Sequence, residues 1–122
     1  MKMSDFIGKM FQARDVAHSA HLNSHSYSEH MALCEFYNAI IDAADTITET
    51  YQGMMQVLVG EIIVMSLDDK SQDILNYLKS QLAELQKDRY VICDKENTVV
   101  QNKIDEAMAV YAKAIYKLKF LK

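Results

Sequence analysis

A chain of 122 residues, half of them hydrophobic, is long enough for one domain that buries about two-thirds of its unfolded surface without staples. Proline is absent and glycine numbers three, which leaves little punctuation for a sheet-rich fold and favours long helices. The net charge of −4 works against non-specific binding to nucleic acid, which depends on basic charge, so no nucleic-acid partner is expected.

The opening MKMSDF lacks the apolar stretch of a secretory signal. Cys34 and Cys93 are too few for a disulfide framework and suit a reducing compartment, so a cytoplasmic location is expected. A first helix is expected over 4–22 with Ser4 as its N-cap. Its stripe takes in Phe6 or Ile7, Met10, Phe11, Arg14, Ala17, His18 and His21, which sets both histidines near the apolar face. Ser26 is a good N-cap for a second helix, and Glu29 three residues on completes a capping box. That helix is expected over 27–52, stopped by Gly53. Leu33, Phe36, Tyr37, Ile40, Ile41, Ala44 and Ile47 exceed a single stripe, the pattern of a helix covered on two faces.

The segment 54–69 is apolar and methionine-rich, but well short of the roughly 20 residues that cross a membrane, so no membrane partner is expected. Its periodicity does not separate strand from helix. Up-and-down bundles join helices with about 2 to 8 residues, whereas ferritin-like folds carry one long crossover, and a connector of this length fits the crossover. Helix three is expected over 70–92, with a seam of Leu75, Leu78, Leu82, Leu85 and Ile92 that Arg89 interrupts. Helix four is expected over 95–120, capped by Asp94, with a seam of Val100, Ile104, Ala107, Tyr111, Ala114 and Leu118. The fold expected is an all-α, ferritin-like four-helix bundle forming one domain over 1–122.

All four histidines fall between His18 and His30. A turn centred near Ser24 would set His18 and His30 at the same height on antiparallel helices, a plausible half-site for a metal. Asp45 and Glu49, four residues apart, share a face of helix two. From His30 to Asp45 is about 22 Å of helix, while a ligand sits only about 2 Å from its metal. One chain cannot bring these groups together, but an antiparallel copy of helix two can. In a twofold dimer whose paired residue numbers sum to about 75 to 79, His30 meets the mate's acids, the dyad passes between Tyr37 and Ile40, and two equivalent sites form.

The run His18, His30, Asp45, Glu49, with steps of 12, 15 and 4, resembles the ferroxidase motif of the Dps-type mini-ferritins. Leu33, Phe36 and Tyr37 resemble the family's apolar positions after its second histidine, and the run from Asp45 to Glu49 is similar to its D-x-I-x-E stretch. The chain departs from the family in having Ser19 where a tryptophan is usual, Thr50 where an arginine is usual, and no lysine-rich tail. It looks closest to the short ferritin-like proteins of phage genomes. The resemblance implies that His18 and His30 of one subunit, with Asp45 and Glu49 of its twofold mate, hold iron and oxidise Fe(II) with peroxide or oxygen. Zinc or manganese would suit the same imidazole and carboxylate donors.

The rival expectation is a non-catalytic oligomeric bundle, a phage accessory or interaction protein, with 54–69 as its binding surface; a structural zinc between subunits is a third. His21 is expected to pack beside the site, His25 to lie exposed in the turn, and Cys34 to act as a small apolar residue. No Glu-x-x-His, phosphate loop, Cys-x-x-Cys pair or nucleophile elbow occurs, which argues against iron held inside one bundle and against the corresponding enzyme classes.

Overall fold

A computed structural model describes residues 1–64 and 73–122. These form four helices, α1 (Met3–Leu22), α2 (Tyr27–Met55), α3 (Ile74–Ile92) and α4 (Thr98–Phe120), with no strand among the described residues. Residues 65–72, which contain the start expected for helix three and the end of the expected crossover, lie outside the described residues.

The helix ends follow local hydrogen bonding more closely than apolar periodicity. Ser4 is buried in the first turn of α1. The cap position passes to extended Lys2, whose backbone N–H donates to the Asp5 carboxylate at 2.9 Å. Ser26 caps α2 as expected, its Oγ accepting from the Glu29 N–H at 3.3 Å. The return bond of the capping box goes elsewhere, because the Ser26 N–H donates to Ser24 Oγ at 3.1 Å.

Gly53 does not stop α2. The helix runs to Met55, and Gln56 turns left-handed with φ 57°. Two glutamines close this end: Gln56 Nε2 donates to the Gly53 carbonyl at 2.8 Å, and Gln52 Oε1 accepts from the Val59 N–H at 3.0 Å. Asp73 caps α3 through the Asn76 N–H at 2.8 Å. Asn97, not Asp94, caps α4 through the Val100 N–H. The Asn97 N–H is already given to the Asp94 carbonyl at 3.0 Å, which folds the preceding residues into a turn.

α1 packs on α2 and α3, and α4 packs on the same two, so α1 and α4 lie across one diagonal and α2 and α3 across the other. Contacts between helix ends give the directions. Asn97 at the start of α4 meets Met55 at the end of α2. Lys9 near the start of α1 bridges to Glu84 and Asp88 in the second half of α3. Ile74 and Leu75 share a recess with Ala20 and Asn23. α2 and α3 therefore run parallel, and α3 begins at the end of the bundle where α1 turns into α2.

The core is built from Phe6, Ile7 and Met10 of α1, Leu33, Phe36, Ile40 and Ile47 of α2, Leu78 and Leu85 of α3, and Ile104 and Tyr111 of α4, all 2% exposed or less. Within one chain α2 buries a single stripe: Tyr37 and Ile41 are half-buried at its flank, and Asn38, Asp42, Asp45 and Glu49 are exposed. The α1 stripe is rotated from the one expected. Ala13 and Ala17 are buried, Arg14 is half-buried, and His18 is exposed, while His21 is the histidine that faces the core. A polar contact closes the far end of the bundle. Gln101, nearly buried, donates from Nε2 to the Arg89 and Cys93 carbonyls at 3.1 and 3.0 Å. Arg89 in turn donates to Gln101 Oε1 at 2.8 Å and to Asp105 at 2.6 Å. The last turn of α3 is thus tied by side chains to the second turn of α4.

After α2 the chain continues without helix over 57–64. Val59 and Ile62 lean on the core. The backbone passes so close to α1 that a Cβ on Gly8 would lie 2.7 Å from the Ile63 carbonyl oxygen.

Candidate functional site

The turn between α1 and α2 is held by two histidines bonded to each other's backbone. His21 Nδ1 donates to the His30 carbonyl at 2.6 Å, and His30 Nδ1 donates to the His21 carbonyl at 2.9 Å. A carbonyl can only accept, so each Nδ1 carries the proton when the ring is neutral, and each Nε2 is left with a free lone pair. The rings stack with centroids 3.6 Å apart. This is how ligating histidines are commonly oriented, with one ring nitrogen spent on a backbone carbonyl and the other presented to a metal.

His21, not His18, is therefore the partner of His30. The hairpin register centres beyond Ser24, because Ser24 and Ser26 close a local turn that uses up chain before α2 begins. His18 sits one turn below, stacked on Tyr37 with centroids 4.3 Å apart. The edge of Tyr37 meets the His21 ring at 5.3 Å. A hydrogen bond with Cys34, then partial burial, pushes the Tyr37 phenol above its ordinary pKa. Asn38 Nδ2 lies 3.6 Å from Cys34 Sγ. His18, His21, His30 and Tyr37 thus form one aromatic row across α1 and α2, ending at the Cys34 thiol.

Asp45 and Glu49 are exposed further along α2, next to Asp42. Among the described residues, no cation pairs with any of these three carboxylates. Glu35, on the same helix, is different. Lys117 and then Lys113 of α4 hold its carboxyl down to about 2. This bridge was not legible in the sequence, since its partners lie far apart in the chain. Within one chain, no three His, Cys, Asp or Glu side chains converge as a metal-holding group among the described residues. The structure brings His18 and His30 into one row and leaves Asp45 about 22 Å and Glu49 about 28 Å of helix away from His30.

No helix among the described residues is long and apolar enough to cross a membrane. Residues 21–118 fit a family described as a family of unknown function (DUF5856), and the chain belongs to it. The matched span contains His21, His30, Asp45 and Glu49 and all of α2 and α3, and begins after His18. No curated protein and no solved structure matches.

Proposed function

We propose that this DUF5856 member is a ferritin-like bundle that dimerises through α2 and binds iron between subunits, in the manner of the Dps-type ferroxidases. The observation that carries the reading is the division of α2 into two unmatched halves. At one end is an imidazole whose Nδ1 is fixed on a carbonyl; further along is a strip of carboxylates that no described cation answers. An antiparallel mate joins the two halves. The parallel, diagonal placement of α2 and α3 supports the ferritin-like part, because an up-and-down bundle would make consecutive helices antiparallel neighbours.

In this dimer His30 supplies a neutral donor through its free Nε2 and His18, one turn below it in the same row, a second, and Asp45 and Glu49 of the mate supply charge to offset a divalent or trivalent cation. His21 holds His30 in its tautomer, as a positioning residue. Bound iron supplies the electrons for reduction of peroxide or oxygen. The test is anaerobic Fe(II) titration of the metal-free protein, followed by peroxide, with sedimentation alongside. Saturable binding that Asp45→Ala with Glu49→Ala abolishes is expected; binding that survives this double substitution ends the proposal.

One observation favours a second reading, a non-catalytic interaction module. Met54, Met55, Val57, Leu58 and Ile63 are each more than half exposed along one continuous stretch, and apolar surface of that kind marks contact sites. In that reading α2 still pairs, but Fe(II) binds no better than to a His30→Ala control.

A further inference from the structure

The groove between α2 and α4 lies beside the histidine row and meets it only at Cys34, and the metal reading does not use its lysines or its apolar floor. Two recesses open along it. One, of about 120 Å³, has Phe36 and Ala114 at its base and Ala39 and Val110 at its sides. The other, of about 510 Å³, lies nearer the α1–α2 turn among Met31, Cys34 and Leu121. Ala32, Glu35 and Lys117 border both, so the bridge from Glu35 to Lys117 is the divider between them. The α2 residues that line only one recess, Phe36 and Ala39 against Ser28, Met31 and Cys34, are centred about six to seven positions apart, which is about 10 Å, or two helical turns.

Charge selects the occupant. Lys113 and Lys117 share one carboxylate, that of Glu35, which leaves one net positive charge among these three groups. The rim of this groove is therefore positive on a chain whose net charge is −4. The alanines Ala32, Ala39 and Ala114 allow a backbone to approach closely. We propose that the α2–α4 groove docks an acidic amphipathic helix of another protein. Two bulky apolar side chains seven residues apart would fill the recesses, and acids three or four residues after the first would face Lys113 and Lys117. A second copy of the chain does not suit it: none of the four helices presents two bulky exposed apolar residues at that interval with an acid between them. The groove borders the proposed dimer face at Cys34, which lines the larger recess, while the smaller recess and the two lysines lie away from that face.

The probe is a labelled, 18-residue helical peptide with Leu at the two anchor positions and Glu at the two between, compared with the same peptide carrying Lys there. Fluorescence anisotropy with the full chain is expected to show saturable binding of the acidic peptide, weaker by at least roughly tenfold when the acids are exchanged for lysine or when salt is raised. Ala39→Trp, which fills one recess, and Lys113→Glu, which reverses the rim, should each reduce binding at least roughly tenfold while the helical circular dichroism and melting curve stay intact. If the two peptides bind equally, if neither binds, or if both variants bind like the original, the groove is not a docking site for an acidic helix. If instead Ala39→Trp and Lys113→Glu shift the sedimentation of the protein alone, the occupant is a second copy and the proposal is overturned. None of these outcomes depends on iron.

Discussion

At the scale of single residues, two glycines separate packing from propensity. Gly53 lies in an exposed part of α2 with nothing within 4 Å of a built Cβ. Gly8 lies where the Ile63 carbonyl passes over α1 at 2.7 Å from the corresponding atom. Gly53→Ala should therefore stabilise the protein by about 0.5–1 kcal/mol, because alanine restricts the unfolded chain and costs nothing in the helix. Gly8→Ala should destabilise it by about 1–3 kcal/mol, because the 57–64 segment must shift. Urea unfolding of both variants checks the pair: a destabilising Gly53→Ala would contradict the open surroundings of Gly53, and a neutral Gly8→Ala would contradict the close approach at Gly8. Tyr111 offers a second residue-level test. Its ring packs edge-on against Phe36 with centroids 5.0 Å apart, while its hydroxyl is buried without a hydrogen-bond partner among the described residues. An orphaned buried hydroxyl costs about 1–3 kcal/mol of desolvation, so Tyr111→Phe is expected to be neutral or stabilising. A clear drop in melting temperature would mean that the hydroxyl is satisfied inside the bundle.

At the scale of elements, four helices and most core positions were legible because 3.6-residue periodicity survives in the sequence of each one. Leu78, Leu85, Ile104 and Tyr111 are buried where their seams place them. The helix ends were less legible. Asn97 takes the cap from Asp94, and Gln52 and Gln56 carry α2 past Gly53, through side chains whose partners periodicity does not encode. The hairpin register slipped for the same reason. One local serine turn decides whether His30 meets His18 or His21. Links between elements were not legible at all, and the bridge from Glu35 to α4 is the clearest. The Glu35 carboxyl, held at about 2 by Lys117 first and Lys113 second, stays ionised at pH values where the unfolded carboxyl takes up a proton. Its contribution to stability is complete above about pH 4.5 and is lost as pH falls toward 2. The group is exposed, so solvent screening keeps that contribution below about 1 kcal/mol. The stability gap between the native chain and Glu35→Gln should be small at pH 7, narrow in high salt and close between pH 4.5 and 2. A gap that widens on acidification would show that Glu35 is not the ionised partner of α4.

At the scale of the whole molecule, the decisive quantity is the register in which two α2 helices meet. The dimer proposed above has paired residue numbers summing to about 75 to 79, which sets Cys34 of one protomer opposite Ile41 of its partner. Cys34 and Ile41 are both half-buried on the open flank of α2. Within one chain they are two helical turns apart, about 10 Å, too far for a disulfide, whose Cα atoms stand at most about 7 Å apart. Ile41→Cys therefore gives a probe that can close only between chains. Mild oxidation should convert this variant into a covalent dimer on a non-reducing gel. Cys34→Ser with Ile41→Cys should give far less, because two copies of position 41 lie on opposite sides of the dyad. The linked dimer should keep its helical content and, if the acids and imidazoles meet as proposed, bind Fe(II) at least as tightly as the native chain, since the cost of association is already met. A chain that stays monomeric, or links equally well without Cys34, would exclude this register. It would remove the geometry that joins His30 to Asp45 and Glu49, and leave the exposed apolar stretch from Met54 to Val64 as the principal contact surface.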